Sequence, residues 1–277
     1  MIIIDYNGIA LSNVIAQKLG TDEDLIRHMI LNSIRMYNTK FKEKYGQVVI
    51  ACDSKSWRKE VFPQYKFKRK ESRESSDIDW NEIFRIINQI REDLSDNFPY
   101  KVLHINRCEA DDIIGTLVFD TQEFGKDEPV MIVSADKDFI QLHRFSNVRQ
   151  YSPMTKKYVE DENPERYLIE HILRGDSGDG VPNVLSPDNT FVDGLRQPAM
   201  TKKRIETYYD TFSMEEETYR NYCRNRKLID LASTPEELQK EIISKYTNIQ
   251  VAHSSKVLNY LIKNRCKMLI ECVGEFL

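Results

Sequence analysis

The chain has 277 residues, 40% hydrophobic and 30% charged, with a formal net charge of −4. That is enough apolar material for one large domain or two small ones; it excludes a disordered chain and leaves any nucleic-acid affinity to local charge rather than the total. Cys52, Cys108, Cys223, Cys266 and Cys272 are odd in number and form no C-x-x-C pair, which argues against a disulfide framework or a zinc site. No apolar run reaches the roughly 20 residues of a membrane span, and Met1-Ile2-Ile3-Ile4-Asp5 carries no basic leader, so a cytoplasmic protein without membrane contact is expected.

In chain order, Ile- and Val-rich runs at Met1–Ile4, Gln47–Cys52, Tyr100–Ile105 and Pro129–Ser134 read as buried parallel strands. Amphipathic spacing between them predicts helices over Asp22–Tyr45, Asp79–Asp96 and Glu109–Phe124, with Asp79 as a cap. The alternation predicts an α/β domain over residues 1–160, a mostly parallel central sheet flanked by helices. Beyond Tyr151 the pattern changes to a short hairpin around Met154–Tyr158. Helices are then expected at Pro164–Arg174, Thr201–Tyr209, Glu215–Leu231, Pro235–Tyr246 and Lys256–Cys272. These make a smaller helical C-terminal domain over 161–277, packed closely on the first.

Each expected strand delivers carboxylates to one edge of the sheet. The first ends at Asp5, the second at Asp53 and the fourth runs into Asp136 and Asp138; the third leads into Glu109, Asp111 and Asp112 at the start of a helix. Singly, an Asp after a strand is usually a turn or cap. Jointly, so many acids in one crevice would repel one another unless cations neutralised them, and oxygen ligands without His or Cys suit Mg²⁺ or Mn²⁺. Two such ions can support phosphodiester hydrolysis. Helical spacing of about 100° per residue prevents Glu109, Asp111 and Asp112 from all pointing one way, and Asp112 is the ligand this spacing least supports.

Between Lys55 and Arg73 lie eight basic residues, Lys55, Arg58, Lys59, Lys66, Lys68, Arg69, Lys70 and Arg73, against Glu60 and Glu71. A long loop over 54–78, next to a strand ending in a candidate ligand, would overhang the crevice. Trp57 and Trp80 flank it, with packing favoured over base stacking, and His104 and His143 read as structural. Gly175-Asp176-Ser177-Gly178-Asp179-Gly180 then adds two aspartates three apart in a glycine-rich turn whose amides could approach phosphates.

The ordered motifs Ile4-Asp5, Cys52-Asp53, Tyr65-Lys66-x-x-Arg69, Glu109-Ala110-Asp111-Asp112, Ser134-Ala135-Asp136-Lys137-Asp138 and Gly175-Asp176-x-x-Asp179 resemble the flap endonuclease family of structure-specific 5′ nucleases. The resemblance implies 5′-to-3′ removal of RNA primers or 5′ flaps during replication, using two Mg²⁺ ions that Mn²⁺ can replace. It implies Asp5, Asp53, Glu109, Asp111 and Asp136 around one ion, and Asp138, Asp176 and Asp179 around the other. It further implies that the basic run is a flexible arch passing a single-stranded 5′ end, with Lys66 and Arg69 on phosphates and Tyr65 stacking on a base. Lys68, Lys70, Gly178 and Gly180 are further expected nucleic-acid contacts. Branched or nicked duplex DNA and RNA–DNA hybrid are the implied substrates, single-strand-binding protein and a sliding clamp the implied partners, and a monomer the implied state.

The chain departs from the family pattern after Asp179, where Val184-Leu185-Ser186-Pro187-Asp188-Asn189 stands in place of Gly-Ile-Gly-x-Lys-Thr-Ala. Thr201-Lys202-Lys203-Arg204 is then expected as the phosphate-binding start of a helix–turn–helix. Two other enzymes and a binding module compete with this reading. A single-domain ribonuclease of PIN type lacks the basic arch, a catalytically silent binder of branched DNA should have lost several acids, and an aspartyl-phosphatase needs Asp-x-Asp where this chain has Asp5-Tyr6-Asn7.

Overall fold

The four apolar runs become β1 (Ile2–Asp5), β2 (Val48–Cys52), β3 (Lys101–His104) and β4 (Val130–Val133). In the computed structural model, which describes residues 1–277 apart from the side chain of Lys70, β5 (Val148–Ser152) and β6 (Lys157–Val159) complete one sheet. Its order is β3-β2-β1-β4-β5-β6; neighbours are parallel except β6, which is antiparallel at the edge. The winding direction reverses between β1 and β4, and at such a switch point a crevice opens beyond the carboxyl ends of the strands. Asp5 and Asp136 stand on its two sides.

The helices of this half are α1 (Tyr6–Ala16), α2 (Glu23–Tyr45), α3 (Arg58–Val61), α4 (Phe67–Glu74), α5 (Trp80–Asn97) and α6 (Ala110–Thr121). Asp22 and Asp79 start α2 and α5 by accepting the backbone N–H groups of Leu25 and Glu82. On one face of the sheet α2 and α5 pack Ile26, Ile30, Ile34, Ile83 and Ile87 against Ile2, Ile4 and Ile50; α6 packs Ile113, Ile114 and Leu117 on the other, against Ile3, Val49 and Ile132. Cover on both faces is why the strands are continuous apolar runs.

Two features differ from the sequence pattern. β5 was not legible because Val148-Arg149-Gln150-Tyr151-Ser152 is not an apolar run; Gln150 is fully buried and donates to the carbonyls of Ser134 and Asp136. The helix expected over Lys256–Cys272 is two, α11 (Ser255–Lys263) and α12 (Lys267–Ile270), broken where Arg265 adopts φ 54°.

The helical region after 161 packs closely on the sheet, as expected. α7 (Pro164–Arg174), α8 (Lys202–Thr211) and α9 (Glu216–Ile229) share a small core with Phe62 and Tyr65. α10 (Glu236–Asn248) adds Leu238 and Ile242 to the α6 face of the sheet, while Val257, Leu261 and Phe276 join the opposite face. The C-terminal segments thus clasp the sheet from both sides. Among the described residues no helix is long and apolar enough to cross a membrane.

Candidate active site

Local structure aims the sheet-end carboxylates before any ligand is considered. Asp5 caps α1: one oxygen accepts from Gly8 N at 2.9 Å, the other from Ser134 Oγ at 2.8 Å. A Cβ at position 8 would lie 2.4 Å from that second oxygen, so this close approach requires glycine. Asp136 accepts from Asp138 N at 2.9 Å and caps the 3₁₀ segment Lys137–Arg144. Asp53 accepts from Ala110 N at 2.8 Å and ties the end of β2 to the start of α6, whose first turn carries Asp111. Asp5, Asp136, Asp138 and Asp176 line a cavity of about 600 Å³, and a small neighbouring one is lined by Asp111, Asp138, Asp176 and Asp179. Asp53 and Glu109 face the adjoining cleft of about 1180 Å³ beneath the basic segment, together with Lys55, Lys66, Arg69 and Arg73.

These acids carry more negative charge than their surroundings offset. Burial first, and repulsion from Asp53 next, raise Asp5 to about 6 against the hydrogen bonds from Gly8 and Ser134. Burial and Asp136 raise Asp138 to about 7, and the same two causes push Asp111 well above the usual carboxylate range. Burial also raises Asp53, against its bond from Ala110. Recessed oxygens that repel one another fit a site for hard divalent cations, whose charge would remove the repulsion.

A second set of acids differs. Asp112, expected among the metal ligands, is fully buried on the opposite side of α6. It accepts from Trp57 Nε1 (3.1 Å), Arg58 Nη1 (3.1 Å), Thr234 Oγ1 (3.0 Å) and Glu109 N (2.8 Å). It is a structural strut and is turned away from the crevice. Arg58, counted in the basic run, is equally buried and also donates to Leu228 O at 2.7 Å. Glu109 accepts from Ser56 Oγ (2.7 Å), Arg58 (3.1 Å), Tyr65 (3.0 Å) and Lys66. Burial opposes its charge, but Lys66 and Arg58 outweigh it and hold the carboxyl at about 2.

The segment over 54–78 is folded rather than an open loop: α3 and α4 make up much of it. Tyr65, expected to stack on a base, is 3% exposed and donates to Asp179 at 2.8 Å, so neither ring face is open. Lys66 and Arg69 both pair with Asp179. Lys66, in the left-handed region at φ 58°, donates its N–H to Asp179 O at 2.7 Å. Gly180, at φ 74°, lies so close that a Cβ would be 3.1 Å from Gln64 O. Gly180 therefore serves to dock the arch, and Gly178 spends its N–H on Asp176 Oδ1 at 2.7 Å, so the Gly178 amide is not open to phosphate in this conformation. Lys68 is exposed, 4.8 Å from the Phe191 ring; the side chain of Lys70 lies outside the described residues. Lys202, Lys203 and Arg204 form the exposed first turn of α8, capped by Thr201, and do not line the crevice cavities. The loop leading to them is pinned by α9, with Asn221 Nδ2 on Val184 O and Asn225 Nδ2 on Pro182 O.

One side chain in the crevice escaped the sequence reading. His171, on the last turn of α7, places Nδ1 3.4 Å from Asp138 Oδ1 and Nε2 3.8 Å from Asp176 Oδ2. A lone histidine on an amphipathic helix carries little signal. The available cue was its place five residues before Asp176, on the turn that feeds the acidic loop.

The family model described as the 5′-3′ exonuclease N-terminal resolvase-like domain matches residues 1–169, and that of the T4 RNase H C-terminal region matches residues 162–276. The chain is similar to the ribonuclease H of Enterobacteria phage T4, 31% identical over 99% of this chain and 95% of that protein. It is also similar to the flap endonuclease Xni of Shewanella pealeana, 31% identical over 50% of this chain and 53% of the relative. Among solved structures, the T5 5′-exonuclease with divalent zinc ions bound superimposes with a TM-score of 0.61 at 16% identity, covering 90% of this chain and 98% of that one. That likeness gives the fold.

Proposed function

The chain belongs to the 5′-3′ exonuclease family, and from that premise we propose how its crevice cuts nucleic acid. It is a 5′ nuclease, a phosphodiester hydrolase. We assign one Mg²⁺ ion to Asp5, Asp53, Asp111 and Asp136, with Glu109 joining once Lys66 moves away. A second belongs to Asp138, Asp176 and Asp179, and Mn²⁺ can replace either. When bound, such ions neutralise charge on the phosphodiester and lower the pKa of a coordinated water.

The chain's own residues do the rest. Lys66 and Arg69 exchange Glu109 and Asp179 for a substrate phosphate, which releases those carboxylates and positions the scissile group. Lys68 and Lys70 extend the basic path, and Lys202, Lys203 and Arg204 contact duplex backbone at the start of α8. The proposed substrates are branched or nicked duplex DNA and RNA–DNA hybrid, with RNA primers or 5′ flaps removed during replication. Single-strand-binding protein and a sliding clamp are the partners that role would bring, with the enzyme a monomer in the cytoplasm of the host cell.

The observation that carries this reading is the set of carboxylates, Asp5, Asp53, Asp111 and Asp138, gathered at the switch point of the sheet and raised by burial and crowding. The test compares 5′-labelled RNA–DNA hybrids, flaps and single strands with and without Mg²⁺. Short 5′ products that need both duplex and metal are expected; cutting that survives chelation would overturn the reading.

A further inference from the structure

The crevice contains one nitrogen donor among its oxygens. One atom each from Asp138, His171 and Asp176 lie within 4.8 Å of one another. His171 Nδ1 lies 3.4 Å from Asp138 Oδ1, longer than a charge-assisted hydrogen bond of about 2.7–2.9 Å, while the 3.8 Å contact with Asp176 is made by the other ring nitrogen, Nε2. Donors about 2.1 Å from a shared ion stand about 3.0 Å apart when adjacent and about 4.2 Å apart when opposite. The 3.4 Å between His171 Nδ1 and Asp138 Oδ1 falls between those two spacings, and the set within 4.8 Å closes on one cation with a small movement. His171 Nδ1 is buried without a hydrogen-bond partner, the condition a metal would relieve. The ring is also held in place: Tyr167 packs edge-on with centroids 5.9 Å apart, and Asp176 is fixed by the N–H groups of Gly178 and Asp179.

We infer that His171 Nδ1 is a ligand of the second divalent ion, beside Asp138 and Asp176, and that it makes this position select Mn²⁺- or Co²⁺-class ions over Mg²⁺. Imidazole is a softer donor than carboxylate, and affinity for it rises from Mn²⁺ to Co²⁺, whereas Mg²⁺ keeps to oxygen and water. The position formed by Asp5, Asp53, Asp111 and Asp136 has oxygen donors alone and gains no such preference. The two positions of one active site would thus differ in the metal they take.

The inference rests on the reading that these carboxylates hold divalent ions, and its test keeps the two apart. Mn²⁺ is titrated into the full chain and the bound ions are examined by pulsed electron paramagnetic resonance for coupling to a histidine nitrogen. Co²⁺ and Mg²⁺ affinities are then measured for the wild type, His171→Gln and His171→Ala. Two ions per chain are expected, one with nitrogen coupling that both variants lose. Co²⁺ affinity at one position should fall about tenfold or more in the variants, with Mg²⁺ affinity moving less than about threefold. Two bound ions without nitrogen coupling, or equal losses for both metals, would overturn the role of His171 and leave the carboxylate reading intact. No divalent ion at the carboxylates would overturn both. The coupling is read on the wild type, so the test stands even if a variant fails to fold.

Discussion

Two sets of acids sit within one crevice and differ in what surrounds them. At the sheet edge Asp5, Asp53, Asp111 and Asp138 crowd one another, and burial lifts each above the ordinary carboxylate range. At the foot of the arch, Asp112 and Glu109 are more deeply buried but share Arg58, and Glu109 also meets Lys66, so its charge is favoured. Burial alone therefore does not mark a ligand: in one set the carboxylates repel one another, and in the other cations already satisfy them. Asp111 and Asp112 are adjacent in sequence, yet α6 sends one into each set.

The largest expected effect breaks the comparison at its centre. Asp111→Asn or Asp136→Asn should lower cleavage by about 100-fold or more while duplex binding is retained, because an amide cannot replace the carboxylate's charge at a metal. Asp111→Asn should also raise the melting temperature of the metal-free protein, since it removes repulsion; a lowered one would argue against crowding. Asp112→Ala should do the reverse, costing about 3 kcal/mol of stability in denaturant unfolding because it strips a partner from buried Arg58, with the number of bound ions unchanged.

Lys66→Ala combined with Arg69→Ala separates two roles of the arch. Cleavage should slow about tenfold or more through lost phosphate positioning, while Mg²⁺ affinity measured calorimetrically rises because Glu109 and Asp179 lose competing cations. If both fall together, the arch cations support the site rather than compete for it.

The smallest effect is in pH. Asp5 and Asp138 are raised to about 6 and about 7, so the folded chain binds protons that the unfolded chain has released. Metal-free stability should therefore fall as pH rises from about 4 to 7 and level off above, the opposite of an ion-paired carboxylate. Saturating Mg²⁺ should flatten or invert that slope, and melting curves at several pH values with and without metal would read it.

Much of this was legible in the chain because strand ends are marked by short apolar runs: Asp5, Asp53 and Asp136 follow directly from where Ile and Val stop. What stayed hidden depended on direction rather than position. Arg58 counts as one more basic residue in a charged stretch until Glu109 and Asp112 are seen to bury it. Tyr65 occupies a motif position, yet its ring belongs to the core shared with Ile172 and Leu173. Gly178 suggested an amide open to phosphate, whereas the fold uses it within the chain. β5 was masked by buried Gln150, whose amide is satisfied by the carbonyls of Ser134 and Asp136 and by the His143 ring.

The most direct measurement compares cleavage of a 5′-labelled RNA–DNA hybrid by Asp136→Asn and Asp112→Asn in Mg²⁺, at a temperature where both are folded. Loss of cutting in the first and its retention in the second is the predicted result. Wild-type cutting by Asp136→Asn, or loss confined to Asp112→Asn, would contradict the assignment of the crowded carboxylates as the metal site.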